Sequence, residues 1–160
     1  MASFIMLGPS GGGGGRPFND FFDVLGGFSG PGATASILSL AVNAGQTLDH
    51  LRVTYRSPGT GALGPFQHGA SNGGNPSPPF FINLDAGEKL MLVEGWIHVF
   101  DGTLEVGGFK FTTNFRQSGV LGSDSGQHFS LPAPANGEVI AFWGRQGLFF
   151  DAVGIIYRTP

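Results

Sequence analysis

Residues 48–56, LDHLRVTYR, alternate with period two. Asp49, Leu51, Val53 and Tyr55 fall on one face, and His50, Arg52, Thr54 and Arg56 on the other. FKFTTNF, residues 109–115, sets Phe109, Phe111, Thr113 and Phe115 opposite Lys110, Thr112 and Asn114. SILSLAVNAG, beginning at Ser36, places Leu38, Leu40 and Val42 on one face. Alternation of this kind, rich in β-branched and aromatic residues, predicts half-buried antiparallel strands. No long stretch carries the helical period, so the expected fold class is all-β. The 29 glycines and 11 prolines could signal low complexity. Here they separate short apolar runs, which predicts many strands joined by tight turns. HGASNGGNPSPPF, residues 68–80, holds nothing apolar before Phe80 and reads as a loop. Its last two prolines set the entry to an edge strand.

Composition narrows the function. With 160 residues the chain is long enough for one domain, residues 1–160, with a sizeable core. Charged residues make up 12% and hydrophobic ones 41%, which excludes a disordered, solvating chain. A net charge of −3 offers no basic surface for nucleic acid. There is no cysteine, so neither disulfide nor thiol chemistry arises. His50, His68, His98 and His128 lack ligand spacing, so no metal or cofactor is expected. MASFIMLGPS lacks the basic region of a signal peptide, and no run is long enough to cross a membrane. The expectation is a protein that is cytoplasmic or released without a signal peptide, with no membrane partner.

Three segments look alike when aligned on their glycines: GQTLDHLRVTY from Gly45, GTLEVGGFKFT from Gly102 and GLFFDAVGIIY from Gly147. They predict three related β-units. Asp49 and Asp151 occupy the fifth position of the first and third, and Val106 that of the second. A lone Asp at a turn is ordinarily a local backbone cap. Asp151, however, lies between Leu148-Phe149-Phe150 and Ala152-Val153, where a carboxylate is costly without a partner. A glycine turn exposing backbone N–H groups beside such a carboxylate is suited to a polyol, whose hydroxyls both donate and accept. GPSGGGGGRPFND, residues 8–20, lacks the Gly-Lys-Ser/Thr of a phosphate loop and is too near the N-terminus to be a linker. It reads as an ordered loop approaching another loop or a ligand. Asp20 and Asp23 have no partner base or nucleophile, which leaves no catalytic site and no enzyme. Trp96 and Trp143 sit in apolar runs and are expected in the core.

Together these residues resemble the jacalin-related lectins over nearly the whole chain. The glycine-rich loop, GQTLDHLRVTY and the run HFSLPAPANGEVIAFWGRQGLFFDAVGIIY carry the likeness. The resemblance implies a β-prism of three four-stranded Greek-key sheets with pseudo-threefold symmetry, and metal-free sugar binding. By the family's pattern the Asp accepts hydroxyls O4 and O6, the N–H groups just before it serve O5 and O6, and a loop glycine donates to O3. Carried over, the first site is Gly15, Gly147, Leu148, Phe149, Phe150 and Asp151. A second, used by some mannose-specific members, maps to Gly45, Gln46, Thr47, Leu48 and Asp49, facing Gly73 and Gly74. Gly15 is internal to a continuous chain, which resembles the mannose/glucose type rather than the cleaved, galactose-preferring type. Arg16 is placed to reach a second sugar residue. The implied partners are mannose- or glucose-containing glycans, with a homo-oligomer expected. A galactose-preferring lectin and a protein-interaction or oligomerisation prism are the alternatives.

Overall fold

The computed structural model describes residues 1–70 and 78–160. Among these, β1 (Ser3–Gly11) and β2 (Arg16–Asn19) lead into a one-turn helix, α1 (Asp20–Asp23). There follow β3 (Ser36–Ala44), β4 (Leu48–Ser57), β5 (Gly61–Gly69), β6 (Phe80–Asn83), β7 (Leu90–Phe100) and β8 (Thr103–Thr113). The last are β9 (Leu121–Gly122), β10 (Gln127–Pro132), β11 (Glu138–Gln146) and β12 (Phe150–Thr159). They form three four-stranded sheets, ordered β1-β12-β11-β2, β5-β4-β3-β6 and β10-β7-β8-β9, all paired antiparallel. Each has a central hairpin flanked by two outer strands, the Greek-key pattern the resemblance implied. The first sheet draws its outer strands from the N-terminus and its central hairpin from the C-terminus.

One hydrophobic core takes side chains from all three sheets. Leu51, Val53 and Tyr55 of β4 enter it on the face their alternation assigned, as do Phe109 and Phe111 of β8. Phe109 packs edge-on against Phe150 at 5.5 Å between centroids, and Phe111 against Phe142 at 6.5 Å. Each fully buried ring of this size contributes about 1.5–3 kcal/mol relative to exposure. Tyr55 also joins the sheets through polar bonds. Its hydroxyl donates to Asp20 Oδ2 at 2.6 Å and accepts from the Phe142 N–H at 3.3 Å. His68 Nε2 lies 2.9 Å from Asp20 Oδ1, and Phe18 stacks on the same imidazole at 3.8 Å.

Several expectations need correction. A bulge between Ile37 and Ser39 puts Ile37, not Leu38, on the core face with Leu40 and Val42. β8 ends at Thr113, so Phe115 leaves the strand and is exposed. Trp96 and Trp143 are only partly buried. The Trp143 indole N–H donates to the carbonyls of Leu7 and Ile155, which ties down the ring's polar edge. Asp20 and Asp23 are structural: Asp20 is buried in the Tyr55–His68 cluster, and Asp23 accepts the Asn19 N–H. β6 is the edge strand that the prolines before Phe80 predicted.

Candidate functional site

Two of the three central hairpins end in matching loops. In the first sheet Gln146 pairs with Phe150, and the Gly147 N–H donates to the Phe149 carbonyl at 3.0 Å. In the second, Ala44 pairs with Leu48, and the Gly45 N–H donates to the Thr47 carbonyl at 3.0 Å. Both loops have three residues, and in both the Asp is the second residue after the loop. The flanking strands repeat the match: the Gly12 N–H donates to the Asp151 carbonyl at 2.8 Å, and the Ala70 N–H to the Asp49 carbonyl at 2.8 Å.

At the first loop the glycine run folds against the carboxylate. Gly15 has a left-handed backbone (φ 68°), and a methyl group there would collide with Asp151 Oδ2 and the Gln146 carbonyl. A methyl on Gly14 would stand 2.9 Å from Asp151 Oδ1, and one on Gly147 3.3 Å from Oδ2. Arg145 fixes the run from behind, donating from Nε to the Gly14 carbonyl at 2.9 Å and from Nη2 to the Gly15 carbonyl at 2.8 Å. Asp151 is 5% exposed, and burial raises its pKa against the opposing pull of Arg145. An open pocket of about 390 Å³ lies over it, with Gly14, Gly15, Gly147, Leu148 and Phe149 in its wall. The Leu148 side chain is exposed at the rim, whereas the Phe150 ring belongs to the core, so only its backbone faces the loop.

At the second loop Gly45 and Gln46 are exposed while Thr47, Leu48 and Asp49 are buried. The Thr47 side chain turns inward, with its hydroxyl 2.9 Å from His98 Nε2. Asp49 is held in further interactions within the protein. Gly69, at the end of β5, gives its N–H to Gln146 Oε1 at 2.9 Å, which links the flanks of the two loops. Gly73 and Gly74, expected opposite Asp49, lie outside the described residues.

The third hairpin departs from the repeat. Its strands continue past the level of the other loops, through His98–Glu105 and Phe100–Thr103, to a two-residue turn at Asp101-Gly102. Both turn residues have positive φ (52° and 78°), the conformation an Asp-Gly hairpin favours. The register also corrects the sequence alignment. The Ser123 N–H donates to the Gly107 carbonyl, as Gly12 and Ala70 do to Asp151 and Asp49. The counterpart of the two Asp residues is therefore Gly107, and Val106 matches Phe150 and Leu48. A methyl on Gly107 would lie 2.6 Å from the His98 ring, so imidazole fills the space a third carboxylate would need.

The extended hairpin instead walls the first pocket. Phe100, Asp101, Thr103 and Glu105 line it, and Phe100 meets Phe149 edge-on at 5.2 Å. Sequence reasoning found none of these four, nor Arg145. The Asp-Gly pair at 101–102 was the available signal, since it marks a tight hairpin whose strands must run on to meet it.

Comparison with known proteins agrees with this architecture. A family model described as Jacalin-like lectin domain matches residues 7–156. Horcolin from Hordeum vulgare subsp. vulgare is 32% identical over 126 residues, which cover 78% of this chain and 82% of that protein. The wild-type Malaysian banana lectin structure superimposes with a TM-score of 0.79 at 31% identity, covering 99% of both chains. A mannose-specific jacalin-related lectin from Morus nigra, solved in complex with mannose, gives a TM-score of 0.79 at 28% identity, covering 96% of this chain and 94% of that one. Three Greek-key sheets in this order, with a family match spanning nearly all of them, place the chain in the jacalin-like lectin family, which is one of carbohydrate-binding lectins and not of enzymes.

Proposed function

We propose that the protein binds mannose- or glucose-type glycans through two metal-independent sites, one at Asp151 and one at Asp49. The observation that carries this reading is the buried Asp151 carboxylate with a glycine run folded against it. An ionised carboxylate accepts hydroxyl protons, and each such bond contributes about 1.5–3 kcal/mol. The pocket above it is open and polar enough for one pyranose ring. The uninterrupted chain through Gly15 and the likeness to the mannose-bound Morus nigra lectin favour mannose over galactose. The matching loop at Gly45–Thr47 supports the second site.

Calorimetric titration with methyl α-mannoside tests this. The expected stoichiometry is about two per chain, since each carboxylate loop offers one acceptor set. Asp151→Ala removes one site and Asp49→Ala the other, while the double variant stays folded and binds nothing. Exhaustive chelation leaves binding unchanged. Binding that survives in the double variant, or that chelation abolishes and calcium restores, rejects the assignment. A folded protein blank on a broad glycan array favours a partner-docking prism instead.

A further inference from the structure

Glu105 is a buried carboxyl group on β8, 4% exposed, set between the two candidate sites. On one side it lines the Asp151 pocket. On the other its carboxyl group hydrogen-bonds with Thr47, the last loop residue before Leu48-Asp49. Its cross-strand neighbour is His98, whose Nε2 holds the same Thr47 hydroxyl. Glu105 Oε2 is buried and has no hydrogen-bond partner among the described residues. The titratable groups around it are Asp151 on β12, Asp49 on β4, Asp101 at the hairpin turn and His98 on β7. Arg145, on β11, acts on the first of these. Burial holds the His98 ring toward its neutral form, so it offers little countercharge.

We propose that Glu105 is a positioning residue shared by the two sugar sites, and that a sugar docking against Asp151 completes its burial and favours its protonated form. The inference rests on the two-site reading above. A carboxylate facing three others in a poorly solvated place is disfavoured as an anion. Burial first, then Asp151, Asp101 and Asp49, push Glu105 up to about 7. A pyranose ring over the pocket displaces the water that still solvates the charged form and leaves the protonated form little affected. Binding therefore takes up a proton near neutral pH. By linkage, affinity is highest where Glu105 is already protonated and falls as pH rises through about 7. Thr47 carries the same protonation to the Asp49 loop, because its one hydroxyl is shared among His98, Glu105 and the Val106 carbonyl.

The test is titration of the whole protein with methyl α-mannoside in buffers of different ionisation enthalpy. We expect affinity to fall about three- to tenfold between about pH 6 and about pH 8, the tenfold limit being a one-unit change in pKa. We also expect the heat at neutral pH to vary with the buffer, as proton uptake requires. Glu105→Gln keeps the shape and cannot ionise, so whatever its absolute affinity, both the pH slope and the buffer dependence disappear. A purely packing role would change affinity and leave the slope. Wild-type binding with neither slope nor buffer dependence overturns the inference alone, and does so without any variant. A slope that persists in Glu105→Gln overturns it too. Absence of mannoside binding by the wild type at every pH overturns the two-site reading and the inference together.

Discussion

In the proposed site Asp151 serves only if it is ionised, because a protonated carboxyl gives up an acceptor. Its folded pKa is raised by burial, so sugar binding at this site is expected to fail on the acid side at a higher pH than an ordinary Asp would allow. Arg145 opposes that rise and also holds the Gly14 and Gly15 carbonyls. Arg145→Met should therefore move the acid limb to higher pH and weaken the site about tenfold, the loss expected from roughly 1.4 kcal/mol of hydrogen bonding. A pH series of mannoside titrations on both proteins checks this, and an unmoved acid limb would clear Arg145 of the role. The unusual setting of Asp151 was legible in the sequence because its apolar neighbours are adjacent in the chain. Glu105 and Arg145 were not, because what makes them matter comes from other strands.

The hairpins carry the difference between a carboxylate-bearing loop and a wall. Two stop after three loop residues, and the third runs on to Asp101-Gly102. Restoring the missing carboxylate by Gly107→Asp should not create a third site, because the new Cβ would meet the His98 ring at 2.6 Å. The expected result is unchanged mannoside stoichiometry and a loss of about 1–3 kcal/mol in urea denaturation, typical of overpacking. A gain of one binding equivalent would refute the idea that His98 closes the position. Strand alternation made β4 and the core face of β8 readable, since period two is a local property. The bulge at Ile37–Ser39 and the register that pairs Gly107 with the two Asp positions were not, because each is settled by the partner strand.

At the scale of the molecule, the threefold all-β plan was readable from repeats and period, both carried in short windows. The links between sheets were not. Tyr55, Asp20 and His68 meet across 35 and 48 residues of chain, and no local pattern announces a buried polar cluster of that kind. The first sheet is the extreme case, since β1 pairs with β12 from Ser3 opposite Thr159 to Gly11 opposite Ala152. During synthesis β1 leaves the ribosome long before β12 and must wait for that strand before it finds its partner. The β3–β4–β5 meander closes over short loops and can be complete long before. The Asp151 pocket thus takes one wall from residues made before β3 and its carboxylate from residues made after β11, whereas the Asp49 loop forms within the meander. Pulsed hydrogen exchange during refolding should find β4 amides protected before those of β12, with mannoside capacity at Asp151 appearing last; simultaneous protection would refute that order. The two proposed sugar sites would then differ in the moment at which a growing chain first acquires them.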